Sequence, residues 1–146
     1  MKYIASLLAI LLPIASLICY GDNIKSFSTL VETDLNFMFV LLTTTTAYCF
    51  IQMKYWKIPG WILLLLTAFN TTQYSLIHNI LGTLFFISCA FAIITGTRTM
   101  RKWIYGYLVL TALFCWLGLF WMETVLVYYL IVFHKNFIEK FGRLKN

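Results

Sequence analysis

The chain has 146 residues and a mass of 17.0 kDa; 62% of the residues are apolar, only 11% are charged, and the mean hydropathy is +0.85. A soluble domain normally holds about 45–50% apolar and about 25% charged residues, so the polar surface is too small for a water-soluble ball, a disordered chain or a secreted disulfide scaffold. Eleven Lys and Arg against five Asp and Glu give a net charge of +6, which in so apolar a chain reports orientation across a membrane rather than nucleic-acid binding, since no basic stretch is long or interleaved with aromatics.

A membrane-crossing helix needs about 20 apolar residues, with a working range of about 17–25. The run 3–20, preceded by Lys2, meets this. It begins like a secretory signal, whose core is about 7–15 residues, but it is longer. Ser16-Leu17-Ile18 also lacks the small residue that a lipoprotein site places directly before its cysteine, here Cys19. A cut after Gly21 is compatible with the residues there; the length of the run makes it the expected first span. The second span is 35–53, with the run Thr43-Thr44-Thr45-Thr46 inside it. The apolar stretch 58–95 is too long for one helix and is interrupted by Asn70-Thr71-Thr72-Gln73, which is turn chemistry. It divides into a short helix over 58–69, with Pro59 tolerated in the first turn, and a longer one over 74–95. The stretch 103–137 divides at its weakest point, 118–123, into helices over 103–117 and 122–137.

Charge distinguishes five spans from six. With six, loops alternate sides, and Lys2, Lys54, Lys57, Arg98, Arg101, Lys102, Lys135, Lys140, Arg143 and Lys145 share one side while Lys25 alone takes the other. That is the bias expected of a cytoplasmic face. Denying the turn at 70–73 would move Arg98, Arg101 and Lys102 to the opposite side and destroy the asymmetry. The expected architecture is therefore all-α: a single transmembrane domain over 1–146, a six-helix bundle with both termini cytoplasmic. Beyond the last span, Phe133, Phe137, Phe141, Ile138 and Leu144 recur at helical spacing among Lys135, Lys140, Arg143 and Lys145. This predicts an amphipathic tail over 138–146 along the inner headgroups. Trp56, Trp61, Trp103 and Trp121 fall at span ends, where indole rings favour the interface.

The third helix is too short for its task. About 12–14 residues give roughly 18–21 Å against a hydrocarbon core of about 30 Å. Its outer end stops below the membrane surface, where irregular backbone must be buried by protein or wetted by a cavity. Around that end the six-span topology gathers an outer polar set: Glu32, Asp34 and Asn36 before and at helix 2, Asn70, Thr71 and Gln73 after helix 3, His78 and Asn79 in helix 4, and Glu123 opening helix 6. Polar groups at membrane depth are costly and mark function, and a histidine near a carboxylate can act as a proton switch. Asp34, Asn70, Gln73, His78, Asn79 and Glu123 are thus the candidate ligand-binding residues. The alternative reading is structural. Asp34 and Glu123 sit where acids favour helix N-termini, by about 0.3–1 kcal/mol, and His78 and Asn79 could satisfy backbone freed at the turn.

Other motifs point to packing. Cys19, Cys49, Cys89 and Cys115 each sit in an apolar run without CxxC spacing, so small buried roles are expected and no metal site. His134 cannot share a haem with His78, because helices 4 and 6 run in the same direction and the two lie near opposite ends. No cofactor, metal or catalytic residue is expected. The threonine run can line a polar path, but such hydroxyls more commonly bond to their own helix. Ser88, Cys89, Ala90 and Ala92 form a patch suited to close helix packing. Asn70-Thr71-Thr72 matches a glycosylation sequon too close to the bilayer for use.

The segment 70–86, in which His78-Asn79 is followed by Gly82 and by Phe85-Phe86, resembles the start of a central helix in small six-helix membrane proteins of the DRAM/Frag/Sfk type and their bacterial relatives. The resemblance covers the topology and this one motif, about a third of the chain. It implies lipid handling or membrane regulation without a catalytic site, and it carries over His78 and Asn79. The further histidines that a ceramidase-like zinc hydrolase requires are missing.

The expected function is a non-catalytic bundle whose outward polar cleft binds a lipid headgroup or small polar ligand, with membrane lipids as partners. Three alternatives stand beside it. A homo-oligomeric channel or transporter would use the threonine run; no inverted repeat relates 1–70 to 74–146. A membrane-embedded lipid-modifying enzyme would use His78 as general base beside Glu123 or Asp34. An accessory subunit of a larger membrane complex would use the aromatic-rich surface.

Overall fold

The computed structural model describes residues 2–21, 26–69, 71–95 and 102–142, with the side chains of 2–9, 27, 115, 117, 119, 131 and 134–142 outside that description. The described residues form six α-helices and no strand: α1 (Lys2–Tyr20), α2 (Asn36–Ile51), α3 (Lys57–Ala68), α4 (Ser75–Thr95), α5 (Trp103–Leu117) and α6 (Leu119–Gly142). A 3₁₀ helix, Phe27–Glu32, stands between α1 and α2 where the sequence suggested only a connection. Each helix packs on the next in chain order, and α6 closes back on α1, so the six form a ring. One helix, Ser75–Thr95, is long and apolar enough to cross a membrane by length and composition; α2 and α3 are apolar but shorter.

Local chemistry explains the turns. Pro59 lies in the first turn of α3, as expected, and its ring is fully buried. Gly60 beside it brings α2 within reach: a Cβ there would lie 2.9 Å from the Ala47 carbonyl oxygen. Between α5 and α6 a single residue reverses the chain. Gly118 has φ 112° and ψ 159°, a region open essentially to glycine alone. In α1, Pro13 removes one helical N–H and disturbs the preceding turn. The Ser16 hydroxyl bonds the Pro13 carbonyl at 2.7 Å, and the Tyr128 hydroxyl of α6 donates to the Ile10 carbonyl at 3.1 Å.

Two apolar clusters fill the ring. The first joins Phe50, Trp56, Leu63, Phe85, Cys89, Ile93, Tyr107, Leu126, Leu130 and Phe133; the second joins Leu12, Leu30, Phe39, Leu42 and Phe120. Trp56 differs from its expected interfacial place. It is 2% exposed, its ring 4.7 Å from that of Phe50 and 5.5 Å from that of Phe133. Trp103 lies 5.8 Å from the same Phe133. This aromatic knot ties the α2–α3 turn, the start of α5 and the later part of α6 to one end of the ring. Lys54, Lys57 and Lys102 flank it in sequence. The small-residue patch packs as expected: Cys89 and Ala92 are buried in the first cluster. Cys19 differs, being exposed, and Cys49 is half-buried.

The outer surface is apolar. Ile18, Phe37 and Trp116 are 79%, 77% and 92% exposed, and large apolar side chains stand exposed on every helix. Soluble monomers rarely expose contiguous apolar patches beyond a few hundred Å². The last helix also runs past its expected end: α6 continues without a break through Gly142, so the first part of the 138–146 tail prolongs that helix, and 143–146 lie outside the described residues.

Candidate functional site

The end of the ring opposite the aromatic knot carries the polar groups. The 3₁₀ helix lies across it, because Leu30, fully buried, inserts into the second cluster between α1, α2 and α6. Its flanks then reach three helices. The Ser28 backbone N–H donates to Glu123 Oε2 of α6 at 3.4 Å, and the Ser26 and Ser28 hydroxyls meet at 3.0 Å. Glu32 Oε1 accepts from the hydroxyls of Thr71 and Thr72 in the α3–α4 turn, the latter at 2.7 Å. The Thr33 hydroxyl turns back to the Leu30 carbonyl at 2.8 Å and accepts the Leu35 N–H at 3.2 Å, closing the link to α2. Tyr20, at the end of α1, places its hydroxyl 3.5 Å from Asp34 Oδ2 and accepts the Asp34 N–H at 3.2 Å.

Just after the α3–α4 turn, α4 carries a buried imidazole. His78 is 5% exposed, and its Nδ1 lies 2.6 Å from the Phe69 carbonyl oxygen. A carbonyl only accepts, so Nδ1 carries the proton and orients the ring. α3 ends at Ala68 after 12 residues, leaving the last carbonyls without helical partners; His78 satisfies one of them. This is the structural role foreseen for it, and among the described residues no hydrogen-bond partner takes the far nitrogen of the ring. The Thr71 and then Thr72 hydroxyls hold the Glu32 carboxyl below the usual carboxylate range, and a positive charge on His78 acts in the same direction, while its slight burial opposes them.

Of the six candidate residues, the structure bonds His78 to the Phe69 carbonyl, within electrostatic reach of Glu32, and ties Glu123 and Asp34 to other partners. Asn79 and Gln73 are exposed, and Asn70 lies outside the described residues. The capping explanation fails for both acids. The cap of α2 is Leu35, one residue after Asp34, and α6 begins at Leu119, a full turn before Glu123; neither first turn holds an acid. Glu32, Thr71 and Thr72 emerge as site residues that the sequence placed only as members of the outer set and of a turn. Ser26 and Ser28 were not singled out at all, because only the buried Leu30 between polar neighbours signals a packed element there. The Thr124 hydroxyl is buried with no hydrogen-bond partner among the described residues.

The hydroxyls of Thr43, Thr44 and Thr45 bond carbonyls of their own helix, Phe39 to Leu42. Among the described residues no group of three His, Cys, Asp or Glu could hold a metal ion. Comparison of the chain with protein-family models, with curated proteins and with solved structures finds no match.

Proposed function

We propose that this chain is a multi-pass membrane protein of six spans with both termini cytoplasmic, whose outward-facing polar end binds a lipid headgroup or small polar ligand without catalysis. The observation that carries the reading is the pairing of an apolar exterior with a polar turn at one end of the ring. Large apolar side chains are exposed around the whole ring, as a hydrocarbon solvent requires. α4, of 21 residues, reaches about 32 Å, whereas α3, of 12, reaches about 18 Å. Packed side by side from their shared turn, the two differ by about 14 Å in reach, so with α4 spanning a core of about 30 Å the turn before His78 lies at headgroup level, where Glu32 of the 3₁₀ helix is bonded to it. A lipid headgroup is the polar chemistry available there. The likeness of 70–86 to the DRAM/Frag/Sfk type belongs to the same proposal, and it too favours lipid handling.

Native mass spectrometry of the full chain, extracted in mild detergent, tests it. Retained lipid adducts are expected, with occupancy lowered severalfold in His78→Ala and in Glu123→Gln. Unchanged occupancy in both variants would end this reading.

A further inference from the structure

The headgroup chemistry can be narrowed, on the premise that the polar end binds a ligand at all. Two groups are anchored on the same turn, at Phe69 and at Thr71 and Thr72. Glu32 is held by Thr71 and Thr72 and remains exposed. His78 is held by the Phe69 carbonyl through Nδ1. With Nδ1 protonated, the neutral ring presents Nε2 as an acceptor, and among the described residues no hydrogen-bond partner occupies it. The carboxylate is likewise acceptor-only when ionised. The local donors, the hydroxyls of Thr71 and Thr72, are already spent on Glu32. What remains is an exposed negative charge and, held by the same turn, a second acceptor on a buried ring.

We infer that Glu32 and His78 Nε2 form an acceptor pair for the N–H donors of a primary ammonium group, carried by a lipid headgroup or by a free amine. An ammonium has three donors and one charge, which match one carboxylate and one imidazole nitrogen. A quaternary ammonium of the same charge has no N–H and satisfies neither acceptor. A phosphate or carboxylate ligand would face Glu32 with like charge. The pair therefore separates ethanolamine from choline headgroups by hydrogen bonding rather than by net charge.

The full chain in detergent is titrated with phosphatidylethanolamine and with phosphatidylcholine, with adducts read by native mass spectrometry. Wild type is expected to prefer the ethanolamine lipid about tenfold, the scale of a charge-assisted hydrogen bond. Glu32→Gln keeps an acceptor for Thr71 and Thr72, so the turn is retained, yet the preference is expected to vanish; His78→Gln is expected to reduce it. Competition by free ethanolamine would support the same chemistry and identify a small amine as a ligand source. Equal binding of the two lipids by wild type, or an undiminished preference in Glu32→Gln, overturns the ammonium assignment while leaving headgroup binding intact. Failure of wild type to retain any lipid overturns both.

Discussion

Single atoms decide how closely the helices approach. At Gly60 an added Cβ would lie 2.7 Å from Ile51 Cγ1 and 2.9 Å from the Ala47 carbonyl oxygen. The carbonyl is part of a helix and cannot rotate away. At Gly82 the only neighbour would be Leu66 Cδ1 at 3.9 Å. Alanine improves a helix interior by up to about 1 kcal/mol over glycine, whereas overpacking costs about 1–3 kcal/mol. Gly82→Ala is therefore expected to leave unchanged or raise the thermal midpoint in detergent, and Gly60→Ala to lower it. Circular dichroism melts of the two variants check this; equal midpoints would contradict the close α2–α3 approach. At Glu32 the effect is a matter of pH. Its native carboxyl binds a proton less readily than the unfolded chain's, because Thr71 and Thr72 donate to the ionised form. The contribution is complete above the ordinary carboxylate value, shrinks as pH falls through it, and is lost below the native value. Exposure keeps it small. The stability gap between wild type and Glu32→Gln is expected to close between pH 7 and about pH 3, followed by the same melts; a gap independent of pH would mean that the carboxylate is not the latch.

Among elements, the 3₁₀ helix organises the polar end although it has only six residues. Its hold on the ring is Leu30, packed with Leu12, Phe39, Leu42 and Phe120. Leu30→Ala is expected to cost about 2–5 kcal/mol and to loosen Glu32 from the α3–α4 turn. Faster amide exchange at Thr71 and Thr72 would report that loosening; exchange unchanged alongside the stability loss would mean that the turn keeps its form without the strap. This element was poorly legible in the sequence. Ser26, Thr29 and Thr33 read as loop chemistry, and the burial of Leu30 depends on residues contributed by three other helices. The long helices were legible, because their apolar runs are bounded by turn residues and charges. Pro59 and the 70–73 turn marked α3, and the stretch from Gly118 marked the break before α6. The start of α6 was placed too late because the break was spread over 118–123, when a one-residue glycine reversal lets the helix begin at Leu119. Likewise Trp56 looked interfacial by position, but the aromatic rings of Phe50 and Phe133 enclose it.

At the scale of the molecule, the ring places the Glu32–Thr72 and Ser28–Glu123 bonds at one end and the Trp56–Phe133–Trp103 cluster at the other. If the ring spans a membrane, cysteines introduced at Thr72 and at Lys102, in a cysteine-free background, are expected in opposite compartments, with Lys54→Cys sharing the side of Lys102→Cys. An impermeant thiol reagent applied to intact cells or spheroplasts reads this directly, and labelling of residues 72 and 102 from one side would refute the threading and the outward placement of the polar turn together. Resistance of the chain to alkaline extraction from membranes is the companion expectation.

Composition and apolar runs sufficed to establish the all-α class and the number of helices, because these depend on properties of segments: length, hydropathy, and the breaks at 70–73 and 118. The partner of each polar group was a tertiary decision. Glu32 meets Thr71 and Thr72 across 39 and 40 residues of chain, and Ser28 meets Glu123 across 95. No local pattern encodes such pairs; they exist because Leu30 is buried, Gly60 allows a close approach and Gly118 reverses the chain, so that helix packing carries distant residues to one end.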